Sequence, residues 1–375
     1  MNALRIAQVL TVVGAGLLIG CTHKSADSDS PTVTKSQYDV NKYAVNATVC
    51  DPLGGSSTPS SDPQQGIKAS LWYLTSGQPI QHDVESMINV GHASSENLFF
   101  STLNVPTRLF TEGFPLQTGG SIKDDMGNEL IEYFALRFES LIQLGSDDPE
   151  GDYQFGMLSD DGTIWSLAST EAGQDYQIML NNDGDHPTQM GCGPIVHMTK
   201  TTKLVSRIDY YQGPRYHIAL VPLWRLVNSS TVSEPQCGQN GNSMYFDYNN
   251  NSVPEPAYNQ MLTRGWKPLN ASNYALQTSA DYNPCTQGTA PVISNLALNM
   301  ETFTLNWTTD IPATDQVLLT DTGTSEETLS TSDNVLRTQH SVAIPALTAG
   351  HHYSVQAVSI SADLGKTISA AVAIP

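Results

Sequence analysis

The strongest constraint on this chain is a hydrophobic period of two. Tyr153-Gln154-Phe155-Gly156-Met157, Tyr176-Gln177-Ile178-Met179-Leu180 and Arg215-Tyr216-His217-Ile218-Ala219-Leu220-Val221 all alternate. In an extended backbone that alternation gathers every second side chain on one face. Ile67-Lys68-Ala69-Ser70-Leu71-Trp72-Tyr73-Leu74 is a further strand candidate, as is the apolar run from Tyr133 to Ile142, for which a helix is the alternative. Asp160-Asp161-Gly162, Asn182-Asp183-Gly184 and Gln212-Gly213-Pro214 supply turns between them. No long capped amphipathic helix interrupts the series, so the pattern predicts an all-β fold of packed sheets.

The first residues belong to export rather than to the fold. Arg5 precedes an uncharged run from Ile6 to Gly20, the layout of a secretory signal peptide. Leu18-Ile19-Gly20-Cys21 resembles the lipobox of bacterial lipoproteins, which implies cleavage before Cys21 and acylation of its thiol. The alternative is an ordinary cleaved signal with a chance cysteine. Residues 1–20 are thus read as leader and residues 21–40, rich in Ser, Asp and Thr, as a flexible tether. The expected location is the cell envelope, with the membrane contacted only through the lipid. Thr22 stands where some lipoproteins of enteric bacteria carry a retention aspartate, which points to the outer membrane.

Charge narrows the partners. The 37 acidic residues outnumber the 17 basic ones, giving a formal net charge of −20. Nucleic acid and anionic membrane surfaces need a basic footprint and are excluded as partners. Carboxylates favour hard cations such as calcium. With Cys21 set aside, Cys50, Cys192, Cys237 and Cys285 remain. An even number in an oxidising compartment implies two disulfides, with three pairings open.

The chain divides by texture into residues 41–289 and residues 290–375. Residues 229–282 are rich in Asn, Gly, Ser and Pro and read as a long irregular extension of the first part, which Cys237 and Cys285 could staple down. Past Thr289-Ala290-Pro291, short strand candidates recur at the spacing of a seven-strand sandwich. Leu305-Asn306-Trp307 and Leu347-Thr348-Ala349-Gly350-His351-His352-Tyr353 resemble fibronectin type III domains. That resemblance implies Trp307 in the core and a Tyr353 hydroxyl that returns to nearby backbone.

The run from Gly151 to Trp165, with Ser159-Asp160-Asp161-Gly162 after an aromatic-alternating strand, resembles the PA14 domain of the anthrax protective antigen, fungal adhesins and bacterial glycosidases. The full expectation is a PA14-like β-sandwich with an irregular extension, followed by a fibronectin type III/immunoglobulin-like sandwich. In sugar-binding members of that family, adjacent aspartates joined by a cis peptide grip calcium, and sugar hydroxyls fill the open coordination positions. The resemblance carries this role to Asp160 and Asp161. Asn182 and Asp183 are candidate further metal ligands. Trp224 and Trp165 are candidate aromatics to stack on a sugar, with Arg225 and Asn228 beside them. The chain departs from the family where an asparagine ligand follows a late strand. Pro222-Leu223-Trp224-Arg225-Leu226-Val227-Asn228 supplies Asn228 only a few residues late. Read from the residues alone, Asp-Asp-Gly is also a common tight turn.

No His-Glu-x-x-His, Gly-x-Ser-x-Gly or phosphate-loop pattern occurs. Asp147, Asp148, Glu150 and Glu139 could pair as a glycosidase acid and base, but such residues more often face solvent. His186 and His197 flank Cys192, where a disulfide with incidental histidines is the simpler reading. The sequence therefore predicts a non-enzymatic envelope lipoprotein that binds glycans for adhesion, with calcium as cofactor. The alternatives are a protein-docking envelope module and an accessory module of a cell-wall hydrolase system.

Overall fold

Alternating apolar runs do become strands, and their burial patterns explain why. In this computed structural model, residues 33–54, 60–168, 175–228 and 233–375 are described. The leader, Cys21 and most of the tether lie outside them. Residues 34–375 form one compact unit.

The first twelve strands in chain order are β1 (Thr48–Cys50), β2 (Ile67–Tyr73), β3 (His92–Ala93), β4 (Asn97–Phe100), β5 (Val105–Leu109), β6 (Phe134–Ile142), β7 (Gly151–Asp160), β8 (Thr163–Ala168), β9 (Gln177–Asn182), β10 (Gln189–Met198), β11 (Leu204–Gln212) and β12 (His217–Leu226). The extension then adds β13 (Phe246–Asp247), β14 (Val253–Pro254), β15 (Lys267–Pro268) and β16 (Tyr274–Ala275). One sheet runs β1-β4-β2-β6-β11-β8-β9 and the other β10-β7-β12-β15. Strand β5 lies beside the start of β12, pairing His217 with Leu109 and Ile218 with Arg108. Between the sheets sits a core that includes Phe100, Phe134, Phe138, Phe155, Trp165, Tyr210 and Trp224. Helices are short: α1 (Val84–Val90), capped by Asp83, and α2 (Pro256–Thr263), which begins on a proline.

Strand β12 is apolar along most of its length because both of its faces are covered. Trp224 and Leu220 face the main core, while Val221 and Leu223 meet Leu158, Met190, Tyr245 and Trp266 on the other side. That outer cover is the supposedly irregular extension, fastened by the Cys192–Cys237 disulfide with Cα atoms 5.6 Å apart. Gly156 lets it close down, since a Cβ there would stand 2.8 Å from the Trp266 ring. The second disulfide, Cys50–Cys285, has Cα atoms 5.7 Å apart and ties β1 to the chain just before the final strands.

Those final strands are β17 (Ile293–Asn299), β18 (Thr304–Ala313), β19 (Gln316–Asp321), β20 (Glu327–Leu329), β21 (Arg337–Ala343), β22 (Tyr353–Ile360), β23 (Lys366–Ile368) and β24 (Val372–Ile374). They form a β17-β18-β21 sheet and a β20-β19-β22-β23 sheet with β24 along β22. Trp307 lies in the core they share and donates from Nε1 to Ser359 Oγ at 2.9 Å. The Tyr353 hydroxyl accepts from Thr348 N at 3.1 Å, five residues back along the chain.

Part of the expected tether is ordered by this second set of sheets. Lys35 bridges to Val335, Val40 N donates to Asn334 Oδ1 at 2.9 Å, and Ser332 N donates to Asn41 Oδ1 at 2.8 Å. The reason lies in the aromatic residues that follow. Tyr43 and Tyr282 pack with Phe99, Leu318, Val358 and Ile360 in one cluster that both bodies contribute to. Residues 34–40 are therefore fixed to the C-terminal sheets, which corrects the tether boundary at residue 40. No helix among the described residues is long and apolar enough to cross a membrane.

Tyr282 packs against Tyr38 and Tyr43, and its hydroxyl donates to Asp39 O at 2.7 Å. Tyr282→Ala should lower unfolding free energy by about 3–5 kcal/mol. It should also open residues 34–43 to protease before the rest of the chain. Denaturant titration and limited proteolysis of the same sample check both effects.

Candidate functional site

Asp160 is the last residue of β7 and stands opposite Ala219 of β12, and Asp161 begins the turn into β8. The peptide between them is cis. Both side chains are buried, Asp160 at 5% and Asp161 at 7% exposure. Neither carboxylate is in an ion pair among the described residues. Their partners are neutral donors instead. Asp160 Oδ2 accepts from Thr188 N at 3.1 Å and from Thr188 Oγ1 at 3.3 Å. Asp161 Oδ1 accepts from His186 N at 3.2 Å, and Oδ2 from Gly213 N at 2.8 Å. Gly213 has no side chain to block this approach; a Cβ there would come within 3.0 Å of that oxygen. Tyr210, fully buried beneath the turn, donates its hydroxyl to Asp160 O at 2.6 Å.

Burial without a compensating charge penalises ionisation. Burial and then the neighbouring Asp161 charge push the Asp160 carboxyl up to about 7. Burial likewise pushes Asp161 up to about 6, against the pull of its backbone donors. Close to neutral pH the pair is therefore still partly protonated. Two adjacent carboxyls of this kind, short of positive charge, suit a hard divalent ion.

The other residues singled out from sequence fall elsewhere. The Asn182 amide is engaged with Gln189, whose Nε2 donates to Oδ1 at 2.7 Å, and with Ser159 Oγ at 2.8 Å. Asp183 Oδ1 accepts from Val84 N at 3.0 Å and Gly184 N at 2.9 Å, which fixes the start of α1. Among the described residues no group of three or more acidic, histidine or cysteine side chains is gathered for a metal, and the oxygens of Asn182 and Asp183 are taken by the donors just named. Trp165 and Trp224 are wholly buried in the core. Trp165 donates to Ser206 Oγ at 2.8 Å and Trp224 packs 4.7 Å from Tyr153, so neither reaches a ligand at the surface. Arg225 is buried under the extension, bonded to Gln154 Oε1 at 2.7 Å and stacked 4.8 Å over Trp266. Asn228 is exposed, but Val227 N donates to Asp152 O, at the opposite end of β7 from Asp160. Nine residues of extended chain separate Asn228 from Ala219, about 30 Å at the usual strand rise. A short sequence offset along a strand became the length of the sheet.

Asp148, raised as a glycosidase carboxylate, is held by Lys267, Asn273 Nδ2 and Gly145 N. Cys192 is in a disulfide, so His186 and His197 frame no cysteine metal site.

The fold brings in residues that spacing did not reveal. Thr188 and Gly213 hold the carboxylates. The Gly213 loop also carries Tyr216, 57% exposed, and Arg215, paired with Glu132. The run Tyr210-Tyr211-Gln212-Gly213-Pro214 carries the signal as a glycine turn after two tyrosines. Its use as a carboxylate cradle depends on the β11–β12 loop folding across the β7–β8 turn.

The chain is thus an all-β protein of stacked sheets with a buried aspartate pair at one rim. No protein-family model matches it, and no curated protein does. It is similar to several solved structures. A PA14 sugar-binding domain from an RTX adhesin is 14% identical, over 43% of this chain and 89% of that one, at a TM-score of 0.31. The Epithelial Adhesin 6 A domain from Candida glabrata, solved with Galb1-3GlcNAc, is 14% identical over 62% of this chain and 95% of that one, at 0.33. The PA14 domain of the MpAFP antifreeze protein is 11% identical over 48% of this chain and 90% of that one, at 0.30. At such scores and identities the site stands on the chain's own geometry.

A carboxyl whose pKa is raised by folding favours the folded state below its unfolded pKa and loses that contribution as pH rises through the folded value. In chelator, wild type should therefore lose stability relative to the Asp160→Asn, Asp161→Asn variant between about pH 4 and pH 7. Denaturant unfolding of both proteins across that range checks the sign.

Proposed function

We propose that this chain is a cell-envelope carbohydrate-binding module for adhesion, anchored through Cys21, and that it takes its ligand at Asp160 and Asp161 with calcium. The observation that carries this reading is the pair of adjacent, buried carboxylates with no cationic side chain to balance them. Calcium would be held by Asp160 and Asp161, and when bound would supply open coordination positions for vicinal hydroxyls. The protein's part is to fix the two carboxyls. Thr188, His186 N and Gly213 N orient their oxygens, and Tyr210 holds the Asp160 backbone from below. Tyr216, exposed on the loop that contributes Gly213, is the aromatic suited to lie against the apolar face of a sugar ring. It takes the role that the sequence suggested for Trp224 and Trp165.

A non-catalytic protein-docking role is the second reading. The extension favours it, because residues 233–268 pack over the outer face of β7 and β12 at Leu158, Val221 and Leu223.

Calcium should raise the melting temperature of wild type by mass action. Asp160→Asn with Asp161→Asn should remove that rise, read by thermal denaturation with calcium titrated from chelator. An undiminished calcium response in the variant would dismiss the site. Separately, Cys21→Ser should move the protein from the membrane fraction to the soluble fraction. Continued retention would count against the lipid anchor.

A further inference from the structure

A cavity of about 630 Å³ is walled on one side by β5 and on the other by the extension. That volume is in the range of small-ligand sites. Its lining includes Asn104, Arg108 and Glu112 from β5 and its flanks, and Tyr248, Asn249 and Asn251 from the extension. The Tyr248 ring is held against His217 with centroids 4.2 Å apart, so it is set in place before any ligand arrives. Glu112 and Arg108 pair across the floor at 3.1 Å.

This cavity is joined to the carboxylates by a short chain of hydrogen bonds. Thr188 Oγ1 donates to Asp160 Oδ2 at 3.3 Å and lies 2.7 Å from Thr107 Oγ1, which must then donate to it. Thr107 is on β5, between lining residues Pro106 and Arg108, and its carbonyl accepts from Ser252 Oγ at 2.7 Å. The extension also binds the same corner directly, Gly241 N donating to Thr188 O at 3.0 Å. Asp160 Oδ2 is thus two hydrogen bonds from Thr107, the strand neighbour of lining residues Pro106 and Arg108, by a link that runs through buried side chains.

The chemistry of the lining selects a polyhydroxyl ligand. Asparagine amides and an Arg–Glu pair offer donors and acceptors together, and Tyr248 offers an aromatic face. An added peptide strand is disfavoured at the β5 edge. Pro106 has no N–H to donate, and the Thr107 carbonyl is already taken by Ser252.

We propose that this cavity is a second saccharide subsite, built by the extension, which binds a further unit of an oligosaccharide whose first unit sits at Asp160 and Asp161. The inference rests on the sugar-binding reading above and extends it from a single sugar to a chain. The extension thus acts as a length reader as well as a cover for the sheet.

The test is a glycan array printed with the same terminal sugars at one to six units, probed with the full chain in calcium. Wild type should bind the longer members more tightly. Tyr248→Ala and, as an independent variant on an exposed side chain, Asn249→Ala should each weaken the longer ligands, the tyrosine by about tenfold. Both variants should leave the shortest ligand unchanged. Asp160→Asn with Asp161→Asn should abolish binding at every length. Binding that does not depend on length, or a length dependence that survives both Tyr248→Ala and Asn249→Ala in folded protein, overturns the second subsite and leaves the aspartate reading standing. A blank array with folded wild type overturns both.

Discussion

Pairing of β7 with β12, covered on both faces, is the contact on which the remainder of the first body depends. Its inner side carries Tyr153, Phe155 and Trp224 into the main core, and its outer side carries Leu158, Val221 and Leu223 under the extension. Truncating any one of the large aromatics in such a place costs about 3–5 kcal/mol. The same register sets Asp160 at the rim beside Ala219 and leaves Asn228 at the far end. A strand locked on two faces cannot slip by one residue, because a slip would exchange its inner and outer sets. Packing that looks purely structural thus determines which polar groups can meet.

Electrostatics at the rim follow from that rigidity. Some buried acidic groups in the fold have cationic partners, as Asp209 has Arg137 and Glu234 has Arg264. Arg225, Glu234, Arg264 and Trp266 form a network that closes the extension over the sheet. Asp160 and Asp161 have only hydroxyl and amide donors. Neutral donors orient a carboxylate but do not cancel its charge, so burial holds both carboxyls above their usual range.

The two bodies meet at one seam, crossed by the aromatic cluster around Tyr43 and Tyr282, by the docked segment from residue 34, and by Lys366, which donates to Gln117 and to Pro284 O; the Cys50–Cys285 bond lies on the first body's side of it. In such an arrangement the C-terminal sheets brace the segment that begins at residue 34.

Alternation and turns were sufficient to identify β2, β6, β7, β9 and β12, because burial of one face writes a period of two into the sequence, while strands such as β5, β10 and β11 were not singled out. The sequence also singled out Asp160 and Asp161, through a run of local residues that specify one turn. It predicted Trp307 in a core and a Tyr353 hydroxyl bonded to nearby backbone for the same reason: each depends on contacts a few residues or one strand away. Tertiary structure decided the rest. Trp165 and Trp224 look like ligand aromatics in sequence, but the parity of β8 and β12 turns them inward. Asn182 and Asp183 are near the aspartates, but their oxygens face Gln189 and α1. The pairing of four cysteines, the docking of residues 34–40, and the meeting of Thr188 and Gly213 at the aspartate pair join segments tens to hundreds of residues apart. Such contacts are set by how sheets stack, and no local pattern encodes them.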